Sequence, residues 1–150
     1  MKTNDYWMKI AFEEAQKGLN ANEIPVGAII VKNNKLISSS YNTSILKSDP
    51  TSHAEINVIR QAAKTLQNYR LSGVSLFVTL EPCAMCYGAI IHSRIEKLVF
   101  GAFDNKTGVC GSCSNFSELD CFNHYPKITG GVMEAECSKI LKDFFQQKRL

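Results

Sequence analysis

The junction from Val74 to Ile91, "VSLFVTLEPCAMCYGAII", constrains the fold more than any other stretch of the chain. Its first seven residues are dense in β-branched and aromatic types and read as a strand. Pro82 then suits the first turn of a helix through "CAMCYGAII", where the missing N–H would have had no partner anyway. The rest of the chain repeats this alternation. Trp7, Met8, Ala11, Phe12 and Ala15 recur at helical spacing, with Gly18 offering a stop. "IPVGAIIVKNNKLISSSYN" reads as two strands joined at Asn33-Asn34, a hairpin. Ala54 to Leu66 predicts a second helix, "KLVFG" (Lys97 to Gly101) another strand, and "EAECSKILKDFFQQKRL" a closing helix. Between them, residues 102 to about 123 are rich in Gly, Ser, Asn and Cys and predict a loop with room for one short helix. Strands alternating with helices predict α/β layers, and the opening hairpin makes the sheet mixed.

No linker, repeat or low-complexity segment divides the 150 residues, so a single domain over 1–150 is expected, long enough for a real core. The N-terminal "MKTNDYWMKIAFEEAQKG" alternates charged and apolar residues, unlike a signal peptide. The longest apolar run, "IPVGAIIV", is far short of the ~20 residues of a membrane helix. A cytoplasmic protein without a membrane partner follows as the expectation. There, six cysteines are expected to be reduced, and to bind metal or be buried. A net charge of +3 permits an anionic partner without arguing for one.

Two short stretches carry the chemistry. Cys83 and Cys86 lie three apart at a predicted helix start, which sets both sulfurs on one face. The helix N-terminus there favours thiolates. A bare C-x-x-C is equally compatible with two buried thiols acting as small hydrophobes. "TSHAEI" places His53 and Glu55 at another helix start. Taken alone, His53 reads as a capping or core histidine. If the two helix starts lie side by side, however, His53, Cys83 and Cys86 make three ligands, the number a catalytic zinc keeps while leaving one position for water. Two residues along a helix turn a side chain by about 200°. Glu55 is then poorly placed to join the ligands but well placed to exchange protons with that water. A competing pattern uses Cys110 and Cys113: C-x₂-C-x₂₃-C-x₂-C resembles a four-thiolate structural zinc, the mark of a non-catalytic nucleic-acid-binding module. That pattern leaves His53 and Glu55 without a role.

"HAE" and "PCAMC" together resemble the H-x-E…P-C-x-x-C signature of zinc nucleobase deaminases. The likeness extends through "NEIPVGAIIV", "DPTSHAEI", "QNYRLSG", "VFGAFDNKTG", "FNHYPKITGGV" and "LKDFF". Over nearly its whole length the chain resembles the bacterial tRNA-specific adenosine deaminases. That resemblance implies a cytidine-deaminase-like α/β/α sandwich with a five-stranded mixed sheet, working as a homodimer. It implies hydrolytic deamination of adenosine to inosine at the wobble position of a tRNA anticodon, typically of an arginine tRNA. It also implies one Zn2+ per chain on His53, Cys83 and Cys86, water attacking C6 of adenine, and Glu55 as proton shuttle. By the same resemblance Asn42 and Ala54 meet the target base, and Asp104, Lys106 and Asn123 surround the pocket mouth. Phe145 and Arg149 would contact flanking nucleotides of the anticodon stem-loop. Cys110, Cys113 and Cys121 depart from the family pattern and read as non-ligands. A deaminase of a free nucleobase or nucleoside such as guanine stays open as an alternative, since the two short motifs are shared with such enzymes.

Overall fold

The computed structural model describes residues 1–148. Five strands form one sheet: β1 (Gly27–Lys32), β2 (Lys35–Tyr41), β3 (Val74–Leu80), β4 (Lys97–Ala102) and β5 (Lys127–Thr129), in the order β2-β1-β3-β4-β5. β1 pairs antiparallel with both β2 and β3, whereas β4 runs parallel to β3 and to β5. The sheet is therefore mixed, and the hairpin accounts for its antiparallel half. Asn33 and Asn34 both take positive φ, 51° and 60°, the geometry that suits the twist of a two-residue hairpin.

Helices cover both faces. α1 (Asn4–Asn20) lays Trp7, Met8 and Ala11 against Ile29, Phe77 and Val99 on one side. On the other, α3 (Ala54–Leu66) and α4 (Ala84–His92) bury Ala54, Val58, Ala62 and Ile90 against Ala28, Ile30, Leu76, Val78, Leu98 and Phe100. The strand residues alternate between these two clusters, the period-2 pattern of a sheet buried on both faces. A one-turn helix, α2 (Ser44–Lys47), precedes α3, and α5 (Glu134–Lys148) closes the described chain. α5 sends Cys137 to the first cluster and Leu141 to the second.

Glycine permits the closest approach between layers. A Cβ on Gly27 would lie 2.1 Å from the Ala11 carbonyl oxygen, so α1 sits on β1 only because no side chain intervenes. Gly18 does not stop α1, which runs on to Asn20. Its missing side chain instead makes room for the Tyr41 ring, 3.1 Å from where a Cβ would stand. Pro82 likewise lies outside α4: Cys83 is the N-cap, in extended conformation, and the helix starts at Ala84. In the 102–123 segment there is one 3₁₀ turn (Phe116–Glu118) and a bridge between Cys110 and Asn115.

Candidate active site

α3 and α4 begin next to each other at one end of the sheet. His53 and Cys83 are their N-caps, each with extended backbone and neither using its side chain to cap. Both side chains are thus free to face the gap between the helix starts. Cys86, one turn into α4, is fully buried beside them. His53 Nδ1 lies 3.7 Å from Cys83 Sγ and 3.5 Å from Cys86 Sγ. Zinc bond lengths with tetrahedral angles require nitrogen and sulfur ligands to stand about 3.6 Å apart. The three donors therefore fit that ion. They are the one group of at least three such ligands among the described residues with all donor atoms within 4.8 Å of one another.

Electrostatics bind the cluster together. The hydrogen bond from Cys86 and the neighbouring His53 push the Cys83 thiol down to about 4, against its desolvation. Cys86 is pushed upward, first by its bond to Cys83 and then by burial. The hydrogen bond to Cys83 raises His53 above its ordinary value. The two thiols are thus pushed in opposite directions. A dication among them would deprotonate both outright.

Glu55 is buried in the first turn of α3, and loss of water pushes its carboxyl up to about 7. That value lets it hold or release a proton near neutrality, which general acid–base catalysis requires. It is absent from the ligand group, as the turn of the helix predicts. His53, Glu55 and Cys83 open into a cavity of about 970 Å³, also lined by Asn42, Ala54, Asp104, Lys106 and Phe145.

The expected contacts do not all converge there. Asn123 does not line the cavity; its amide oxygen accepts from Arg94 Nη1 at 2.9 Å. The loop that carries it folds back over the α4–β4 corner, where neighbouring His124 bonds the Ile95 carbonyl at 2.7 Å. Arg149 lies outside the described residues. Asp104 does line the cavity, but its carboxylate accepts from Lys106 N, Thr107 N and Thr107 Oγ1 of its own turn. Phe144 is buried, whereas Phe145 is 44% exposed at the cavity rim. Cys110 and Cys113 join no ligand group, and all six cysteines are free. Burial raises Cys110 to about 12, which disfavours a thiolate. The four-thiolate module therefore finds no support here.

Sequence reading missed two buried acids beside the cavity. Glu23 accepts from Asn42 Nδ2 at 3.4 Å and from the backbone N–H groups of Ile45 and Leu46. Glu81 accepts from the 104–112 loop. Nothing in local pattern distinguishes Glu23 from a surface glutamate, since its partners lie about twenty residues away.

Helical layers on both faces of a mixed sheet, with a His–Cys–Cys cluster beside a buried glutamate, define a deaminase, and the family model for MafB19-like deaminases matches residues 2–149. A tRNA-specific adenosine deaminase of Haemophilus influenzae is 51% identical over 143 residues, 95% of this chain and 83% of that protein. A solved structure from work on A-to-I editing by tRNA:A34 deaminases at the wobble position of transfer RNA aligns with TM-score 0.88. It is 40% identical and covers 91% of this chain and 99% of its own. A guanine deaminase from Bacillus subtilis aligns less closely, with TM-score 0.67 and 28% identity over 99% of this chain and 96% of its own. The chain belongs to the tRNA-specific adenosine deaminase family.

Proposed function

We propose that the protein, acting as a single domain over residues 1–150, hydrolytically deaminates adenosine to inosine at the wobble position of a tRNA anticodon, with an arginine tRNA as the first candidate. The observation that carries the chemistry is the spacing of His53, Cys83 and Cys86 beside buried Glu55, in a cavity large enough for a splayed-out nucleotide. One zinc ion per chain on those three residues would supply an acidified water as nucleophile. Glu55 takes one proton from the attacking water and hands it to N1 of adenine, then carries the second, from the hydroxyl now on C6, to the amine that leaves as ammonia. Its upward-shifted carboxyl suits both halves of that task.

Asn42 and the backbone at Ala54 meet the base. Asn42 is held from behind by Glu23, which fixes the direction of its amide. Lys106, exposed at the mouth, and Phe145 at the rim meet the flanking nucleotides by charge and by stacking. An adenosine in a loop costs only a few kcal/mol to turn out of its stack, so an anticodon loop is a suitable source. No helix among the described residues is long and apolar enough to cross a membrane. The proposed working form is a homodimer in the cytoplasm.

Incubating the zinc-loaded protein with an anticodon stem-loop bearing an unpaired adenosine tests this reading. Inosine at that one position is the expected product. No inosine, together with ammonia released from free guanine, would transfer the assignment to a free-base deaminase.

A further inference from the structure

We infer that Glu81 is a positioning residue for substrate, setting Lys106 at the cavity mouth through two tiers of hydrogen bonds. Glu81 follows the last residue of β3 and is 2% exposed. Its carboxylate receives Asp104 N at 3.0 Å and Ser112 Oγ at 2.5 Å on Oε1. Oε2 receives Cys110 N at 2.8 Å and Ser112 N at 3.2 Å. All four partners are donors, which matches a group whose ionised form can only accept. The first tier therefore fixes both ends of the 104–112 loop to one carboxylate.

Asp104 supplies the second tier. Its backbone N–H is held by Glu81, while its side chain accepts from Lys106 N at 3.0 Å, Thr107 N at 3.2 Å and Thr107 Oγ1 at 2.8 Å. The position of Lys106 is thereby referred back to Glu81, just past the end of β3 and two residues before Cys83. Gly108 closes the arrangement, because a Cβ there would stand 2.4 Å from Glu81 Cδ and 2.5 Å from the Asp104 carbonyl oxygen. The loop is seated on the carboxylate with no space between them. Two further bonds set the base of this anchor: Glu81 N donates to Ala102 O at 2.9 Å, and Val109 N to Pro82 O at 3.1 Å.

A core acid that only stabilised the fold would be served as well by partners anywhere. Here every side-chain bond of Glu81 goes to one loop, and that loop forms a wall of the cavity. Glu81 itself lines the cavity, but both its oxygens are taken up by the loop, so it acts through Lys106 and not on the reacting atoms.

The inference rests on the proposed RNA substrate, and its test separates the two. Glu81→Gln replaces two accepting oxygens by one and sets an amide against donors. With the zinc-loaded protein and the anticodon stem-loop, KM is expected to rise about tenfold, the scale of one lost bond to a charged group, with a much smaller change in kcat. Backbone amides of 104–112 should exchange with solvent faster, while those of α3 and α4 keep their protection. In a cycle with Lys106→Ala, the two effects on KM should be strongly non-additive, because each removes the same contact. Ser112→Ala, which keeps the carboxylate, should move KM and exchange in the same direction by less. Additive effects, or a loss carried by kcat and zinc content, would overturn the positioning role. Wild-type protein that makes no inosine would count against the substrate instead, and accelerated exchange confined to 104–112 would still support the anchor.

Discussion

A histidine that caps a helix with its backbone alone keeps its imidazole for other work, and His53 does so. Cys83 repeats the device at α4. The consequence is a cluster whose members depend on one another: removing either cysteine leaves a pair of donors where three converge. Cys83→Ser is therefore expected to abolish zinc binding and to lower the unfolding temperature of the metal-loaded protein, because binding energy for a ligand set is partly folding energy. Metal analysis and thermal denaturation in parallel check it; a variant retaining one zinc per chain would remove Cys83 from the ligands. The grouping of His53, Cys83 and Cys86, with Glu55 close by, was legible in the sequence because the spacing of each motif along a helix start is a local property. Asn123 was not, since its direction depends on how a loop without periodicity folds over the α4–β4 corner.

Loops decide the cavity's shape, and each is held by a particular group. Asp49 holds the turn into α3 by accepting from Thr51 N, Thr51 Oγ1 and Ser52 Oγ. Those bonds bring its carboxyl from 3.8 down to about 2. A depressed carboxyl contributes stability above its unfolded pKa and loses it as pH falls through the folded one. Between about pH 4 and pH 2, Asp49→Asn should therefore lose stability less steeply than wild type; equal slopes in denaturant titrations would contradict the assignment. Cys110 and Cys113 belong to the opposite loop, and replacing both by serine should leave one zinc per chain. A protein stripped of metal by that pair would restore the structural-zinc alternative. The regular elements were readable because α3 and β3 carry strong periodicity, with Ala54–Leu66 and Val74–Leu80 matching residue for residue. β5, three residues long, and α2, four, are too short to leave a pattern. Their existence depends on pairing with β4 and on the Glu23 carboxylate, neither of which is local.

At the scale of the molecule, the sheet supplies a floor and the helix starts carry the proposed ligands, so the proposed chemistry and the fold share one set of residues. Net charge is only +3, so the proposed RNA recognition would rest on a few local contacts such as Lys106 and Lys142, which line the cavity, and not on a broad basic face. Lys139 is paired with Asp143, and Lys148 lies over the Phe144 ring. Binding of the stem-loop should accordingly weaken with salt by a modest slope, a few phosphates' worth on a plot of log affinity against log salt. A slope near zero would remove phosphate contacts from the account. The most direct measurement uses Glu55→Ala, because it deletes the proton carrier and no ligand. The variant should hold one zinc per chain and bind the stem-loop as wild type does, while inosine formation falls by about 10²–10⁴-fold. Turnover near the wild-type rate would contradict a mechanism in which this buried carboxyl moves the protons.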